Sequence, residues 1–318
     1  MQDAIEVFEQ KFKARNLVAL SKAFTLNEST LESDNSLVDE LIARNKSMLS
    51  NGMVISISGI PGVGKSTFIE CLGTYLHSLR HKIAVFSIDP SSEHSKGSIL
   101  GDKTRMENLS RLENVFIRPS PSSNQLGGVG LNTHRNVALA KIAGFDIIII
   151  ETVGVGQSET IVRHLSDLFV LLMMPASGDE LQGVKKGIME VADFFIIHKA
   201  DGILKDKALY AKKEIEAALH YSRSEVDDIV SVFSSIEKDG IMAVWDKIKS
   251  LFNAKREKGK LENQRQEQYQ FWFDYELKQR LYTQFLKKNN KEISELEEKI
   301  RDDFYLKRID IDTIINKK

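Results

Sequence analysis

Cysteine is almost missing from this 318-residue chain: Cys71 stands alone. A lone thiol forms no disulfide within the chain, which excludes a disulfide-stapled fold and fits a reducing compartment. An excess of either charge is missing too. The 44 Lys and Arg face 45 Asp and Glu, for a formal net charge of −1. A dedicated duplex-DNA or RNA binder carries a basic excess, so no nucleic-acid partner is expected. Long apolar runs are absent; 147–150 and 168–176 are the longest, and Pro175 interrupts the second. Crossing a bilayer as a helix takes roughly 20 apolar residues, so no membrane partner is expected either. The opening MQDAIEVFEQ is acidic, without the basic and apolar regions of a secretory signal; it reads as the start of a cytoplasmic protein. The seven His and single Cys show no metal-ligand spacing, which counts against a metal-delivery protein. No internal repeat or low-complexity tract is present.

What is there is a soluble globular composition, 42% hydrophobic and 28% charged. The length predicts about two domains, or one large α/β domain with appendages. In 1–48, Ile5, Phe8, Phe12, Leu17, Leu20 and Phe24 recur at helical spacing, and Asn35-Ser36 predicts the cap of a helix holding Leu37, Val38, Leu41 and Ile42. From residue 53 the period changes. Apolar, β-branched segments at 53–58, 82–88, 145–151, 168–173, 194–197 and 229–233 predict six strands. Helical segments such as 65–79, 132–143 and 205–219 separate most of them. Strands apolar throughout and alternating with helices predict an α/β fold, a parallel sheet covered on both faces. Its ligand would sit at the carboxyl ends of the strands. After residue 247 the composition shifts. Residues 253–268 are nearly all polar, and beyond them Trp272, Leu277, Leu281, Phe285, Ile293, Leu296, Ile300 and Phe304 form a helical stripe broken near 288–290. A hairpin folding back on its own domain and a dimerisation arm both fit this stripe.

Gly59-Ile60-Pro61-Gly62-Val63-Gly64-Lys65-Ser66 fits G-x-x-x-x-G-K-[ST] in full, after a predicted strand and before a predicted helix. Glycines let backbone N–H groups converge on phosphate oxygens, and the following helix presents its positive end to them. Lys65 is expected to reach the β/γ-phosphates, the Ser66 hydroxyl to bind Mg²⁺, and Thr67 to add a hydroxyl contact.

A triphosphate site needs carboxylates at neighbouring strand ends. Asp89 and Glu151 each end a predicted strand. The stretch from Glu151 through Gly154 is similar to the D-x-x-G switch of GTPases with Glu for Asp, so Gly154 would offer its N–H to a γ-phosphate. Asp102 lies in a polar, glycine-bearing loop, 97–106, where it fits either the magnesium shell or a turn. Gln157 is placed to orient the attacking water. His198-Lys199-Ala200-Asp201 follows a strand as N-K-x-D does in GTPases, with His in place of Asn. Asp201 would accept from the guanine N1–H and amino group, and the Lys199 stem would cover the ring. A histidine still donates one hydrogen bond, so a guanine preference is expected. Ser234-Ser235-Ile236 sits where a backbone N–H would meet guanine O6.

Together with 89–92, 97–106, 118–123, 126–128, 151–159 and 178–187, these motifs resemble the MeaB/ArgK family of GTPases over about residues 14–250. That family includes the methylmalonic aciduria type A protein. The resemblance implies a P-loop NTPase fold with a mostly parallel sheet, an N-terminal helical extension (1–48), a GTPase domain (49–252) and a C-terminal helical dimerisation arm (253–318). It implies GTP hydrolysis to GDP and phosphate, and a chaperone role in loading or protecting a cobalamin-dependent acyl-CoA mutase such as methylmalonyl-CoA or isobutyryl-CoA mutase. It also implies a homodimer. Ser66, Asp89, Asp102 and Glu151 match the positions around Mg²⁺, while 177–187, with Lys185 and Lys186, matches a third switch. The competing expectation is a transport-associated ATPase or kinase. A preference for ATP over GTP would favour it.

Overall fold

The computed structural model describes residues 2–29, 31–89, 106–121, 128–152, 159–175, 186–222, 228–238 and 240–288. The chain divides into two compact units, Met1–Tyr269 and Gln270–Lys318, the second described as far as Lys288.

The first unit opens with three helices, α1 (Gln2–Lys13), α2 (Leu17–Asn27) and α3 (Glu32–Arg44). The last begins three residues ahead of the expected Asn35 cap. Leu31 is its N-cap, and Asn35 lies inside the helix with its amide donating to Ser29 O and Leu31 O. Asn16 makes the side-chain cap of α2, accepting from the Ala19 N–H at 3.1 Å.

Strands and helices then alternate: β1 (Met53–Gly59), α4 (Lys65–Ser78), β2 (Ile83–Asp89), α5 (Glu107–Ser110), β3 (Val115–Pro121), α6 (Gly128–Ile142), β4 (Ile147–Glu151), α7 (Glu159–Arg163), β5 (Leu168–Met173), α8 (Lys186–Val191), β6 (Phe194–Ile197), α9 (Lys205–Ser222), β7 (Val230–Val232), α10 (Ile241–Glu257) and α11 (Lys260–Lys288). Among the described residues the strands make one seven-stranded sheet in the order β3-β2-β4-β1-β5-β6-β7, and all its pairings are parallel. The expected parallel α/β fold is thus present, with one strand more than the periodicity indicates. The extra strand is β3, whose Pro119 and Pro121 mask its signal. Proline removes a ladder donor and is tolerated at an edge, and β3 is an edge strand.

Both faces of the sheet are apolar because both are covered. On one face, Ile55, Ile57, Ile149 and Val170 pack with Phe68, Ile69 and Leu72 of α4 and Trp245 and Ile248 of α10. On the other, Phe169, Leu171, Phe195 and Ile197 meet Ala208, Ala211 and Ile215 of α9. Toward β3 the N-terminal helices contribute. Phe24 of α2 stacks at 5.0 Å on Phe116 and lies 5.4 Å from Phe86, with Phe12 behind it. Burying each such ring is worth about 1.5–3 kcal/mol, so α1 and α2 are part of the core. Among the described residues no helix is long and apolar enough to cross a membrane.

The polar 253–268 stretch, whose composition carries no helical stripe, is helical as the end of α10 and the start of α11. Gly259 at φ +65° separates the two. In the second unit, α11 is described to Lys288, and its Phe273, Leu277, Leu281 and Phe285 are exposed at four-residue steps.

Candidate functional site

The chain leaves β1 toward β2 on one side and leaves β5 toward β6 on the other. The carboxyl ends of these central strands are where a doubly wound sheet opens a crevice. Gly59 ends β1 there, and the loop from Ile60 to Gly64 leads into α4. Gly64 adopts φ +97°, and a Cβ on it would lie 2.6 Å from His198 Cε1 and 2.7 Å from Nδ1. A Cβ on Gly59 would lie 2.6 Å from the Leu172 carbonyl oxygen of the neighbouring strand. Both positions are therefore closed to any other residue by contact as well as conformation. Lys65 Nζ donates to Gly59 O at 2.9 Å and Ile60 O at 3.3 Å. Pro61, Gly62 and Thr67 are exposed, while Val63 is buried.

Ser66, in the first turn of α4, donates to Glu151 Oε1 at 2.7 Å. Glu151 ends β4, is 8% exposed, and is aligned with Ile57 of β1 and Ser87 of β2. Its other oxygen, Oε2, accepts from Ser87 Oγ at 2.9 Å. The carboxylate is thus held between the P-loop helix and the next strand. Hydroxyl and carboxylate oxygens are the hard donors Mg²⁺ takes, and it binds through few protein ligands plus phosphates and water. This donor set fits it. Among the described residues no three His, Cys, Asp or Glu converge into a metal cage. Asp89 is the last residue of β2 by its backbone; its side chain lies outside the described residues, as do Asp102, Gly154 and Gln157. The 90–105 and 177–185 stretches also lie outside them, Lys185 included, and of Lys186 only the backbone is described.

On the far side of the P-loop, His198 follows β6. Its ring lies stacked on Phe233 at 6.0 Å and edge-on to Phe68 at 6.2 Å, and it is 2% exposed. Nδ1 is 2.6 Å from Val63 O and Nε2 is 2.7 Å from Ser235 Oγ. A carbonyl only accepts, so Nδ1 carries the proton. Burial holds the imidazole below its ordinary pKa, which leaves Nε2 bare to accept from the Ser235 hydroxyl. The hydrogen bond that histidine was expected to retain therefore goes to the P-loop itself. Lys199 follows in the left-handed region at φ +59°, a conformation uncommon for residues other than glycine and concentrated at functional sites. Asp201 then begins the turn at Gly202–Leu204. Beyond β7, Ser234 Oγ accepts from the Ile236 and Glu237 N–H groups at 3.2 Å each, fixing the 234–236 turn beside His198; Ile236 itself is exposed.

The structure thus brings together 59–67, Glu151, 198–201 and 234–236, as the motif order requires. Motif reasoning misses two participants. One is the Val63 carbonyl, which no side-chain pattern can signal. The other is Ser87, whose signal is its place two residues before Asp89, on a strand whose neighbour only the topology names.

The family description methylmalonyl Co-A mutase-associated GTPase MeaB matches residues 20–290. Escherichia coli GTPase ArgK is 42% identical over 256 residues, covering 80% of this chain and 77% of its own. The Mus musculus methylmalonic aciduria type A homolog, mitochondrial, is 43% identical over 267 residues, 80% of this chain and 64% of that one. Among solved structures, an LAO/AO transport system kinase is similar with a TM-score of 0.76 and 29% identity, covering 98% of this chain and 95% of that one.

Proposed function

The chain belongs to the family of methylmalonyl-CoA mutase-associated GTPases, and on that premise we propose that it hydrolyses GTP to GDP and phosphate as a chaperone of a cobalamin-dependent acyl-CoA mutase. The observation that carries the reading is the joining of three motifs on one loop. The P-loop is tied to Glu151 through Ser66 and to the base-side loops through His198.

In this reading the backbone amides of 59–65 and the N-terminus of α4 hold the β- and γ-phosphates, and Lys65 moves from the Gly59 and Ile60 carbonyls to them. Ser66, with Asp89, Asp102 and Glu151 around it, holds Mg²⁺. The cation supplies neutralisation of the charge developing on the phosphate oxygens. Gly154 contacts the γ-phosphate and Gln157 orients the water. Asp201 selects guanine with Lys199 over the ring and the Ser234–Ser235–Ile236 turn at O6. His198 supports selection through its hold on Val63. The exposed face of Phe273, Leu277, Leu281 and Phe285 in the 253–318 arm suits pairing with a second copy. The 177–187 segment relays nucleotide state to the mutase. A cytoplasmic location completes the proposal.

The likeness to the transport-system kinase keeps one rival in view, an ATP-driven ATPase or kinase. A single comparison separates them. The unaltered protein and Lys65→Ala are assayed for GTP and ATP turnover and for capture of purified methylmalonyl-CoA or isobutyryl-CoA mutase with a non-hydrolysable GTP analogue. Lys65→Ala is expected to lose GTP hydrolysis and analogue-dependent capture together. Persistence of either overturns the reading, and a preference for ATP transfers it to the rival.

A further inference from the structure

Ser87 sits on β2, 3% exposed, in register with Glu151 on β4, and its hydroxyl donates to Glu151 Oε2 at 2.9 Å. Ser66 occupies the other oxygen at 2.7 Å. An ionised carboxylate only accepts, so each serine spends its single proton on Glu151. For Ser66 the consequence is directional. With its proton committed to Glu151, its lone pairs are the part of the hydroxyl left for a cation.

That direction holds only while Oε1 keeps facing Ser66. The terminal torsion of a glutamate joins sp³ to sp² carbon and is soft, and glutamate has one more torsion than the aspartate it replaces in the D-x-x-G pattern. A carboxylate free to turn would carry Oε1 away and release the Ser66 proton. Ser87 pins the opposite oxygen from a strand paired on both sides in the sheet. Burial alone does not force this placement. Among the described residues, Ser56, fully buried on β1, has no hydrogen-bond partner for its hydroxyl.

We propose that Ser87 is a positioning residue for the cation site: it locks the Glu151 carboxylate so that Ser66 presents its lone pairs to Mg²⁺. This rests on the guanine-nucleotide reading above. It assigns Ser87 no contact with nucleotide or metal. Its contribution appears only when the metal is bound, since phosphate contacts of the P-loop backbone do not pass through Glu151.

The test is calorimetric titration of GDP, in Mg²⁺ and again in EDTA, into the full chain, Ser87→Ala and Ser87→Thr. Removing a supporting hydrogen bond behind a metal ligand typically weakens metal affinity by 10-fold or more. Ser87→Ala is expected to lose about tenfold of the magnesium-dependent gain in GDP affinity while its affinity in EDTA stays at the unaltered value. Ser87→Thr, which keeps the hydroxyl, is expected to recover the gain. Equal losses in Mg²⁺ and EDTA mark a merely structural serine and overturn the proposal. So does an unchanged magnesium gain in Ser87→Ala, or a lost one in Ser87→Thr with EDTA affinity intact. Absence of GDP binding by the unaltered chain in both buffers overturns this proposal and the nucleotide reading together. The other adverse outcomes leave that reading standing.

Discussion

Gly64 concentrates the residue-scale constraints. Its φ of +97° suits only glycine, and the space a Cβ would take is filled by the His198 ring. Gly64→Ala must displace an imidazole packed against both Phe68 and Phe233. We expect it to cost about 1–3 kcal/mol of stability and to lower nucleotide affinity by at least tenfold, read by urea unfolding and by titration with GDP. Unchanged affinity would mean the loop and His198 are not coupled. The glycines, lysine and serine of the P-loop were legible as a set because each meets a requirement of its own short stretch. His198 was legible only in part. Its place after β6 marks it as the counterpart of an asparagine, yet the identity of its partner is a main-chain oxygen 135 residues away.

Asp167, just before β5, shows at the scale of elements what polar residues do in a segment without an apolar stripe. It is 1% exposed and accepts from the Val54 N–H at 2.9 Å and from Arg265 Nε and Nη2 at 2.8 Å each. Arg265 also donates to the carbonyls of Ser50 and Gly52. Lys255 of α10 reaches the Asp167 carbonyl at 2.9 Å and pairs with Asp193 at 2.7 Å. Gln264 and Gln268 bond the Ser166 carbonyl. These bonds fasten the start of α11 to the amino ends of β1 and β5, opposite the crevice at the strands' carboxyl ends. The helix is polar here because it docks on main-chain carbonyls and one carboxylate. Removing one partner of a buried pair strands the other charge. Arg265→Met is therefore expected to lose about 3–5 kcal/mol, measured as a drop in urea midpoint, while GDP affinity of the folded fraction holds. A loss below about 1 kcal/mol would show the pair to be solvated. In the sequence, 253–268 reads only as a change in composition; which of its polar residues anchor is set by where the sheet ends.

Across the whole molecule, the cover that α6 and the N-terminal helices give the sheet makes stability depend on pH. Burial, aided by Lys141 and Arg135, pushes His134 of α6 from 6.5 down to about 4. The folded protein then holds it neutral where the unfolded chain binds a proton. Stability is complete above about pH 6.5 and is lost as pH falls from there toward 4. By linkage the loss at pH 5 is about 2 kcal/mol. Lys141, pushed from 10.5 to about 8 mainly by burial, acts with the same sign at the alkaline end, adding stability as pH rises from about 8 toward 10.5. Thermal unfolding at pH 5, 7 and 9 checks both slopes; His134→Gln should flatten the acidic one, and a midpoint as high at pH 5 as at pH 7 would contradict it. At this scale the alternation of apolar strands with helices was enough for the architecture. Local propensity could not reveal β3, because Pro119 and Pro121 suppress its signal and only an edge position accommodates them.

The chain by itself determined the P-loop motif, the alternation of strand and helix, and the places at the end of β4 and just after β6 where Glu151 and His198 stand. Glycine conformation, helix-terminal polarity and side-chain periodicity all act within a few residues. Only the tertiary structure decided that Ser87 faces Glu151 across 64 residues and that Arg265 grips Asp167 across 98. Those meetings depend on the strand order β3-β2-β4-β1 and on which helix covers each sheet end. Crossover packing sets these through the burial of whole faces, and no short stretch of sequence encodes it.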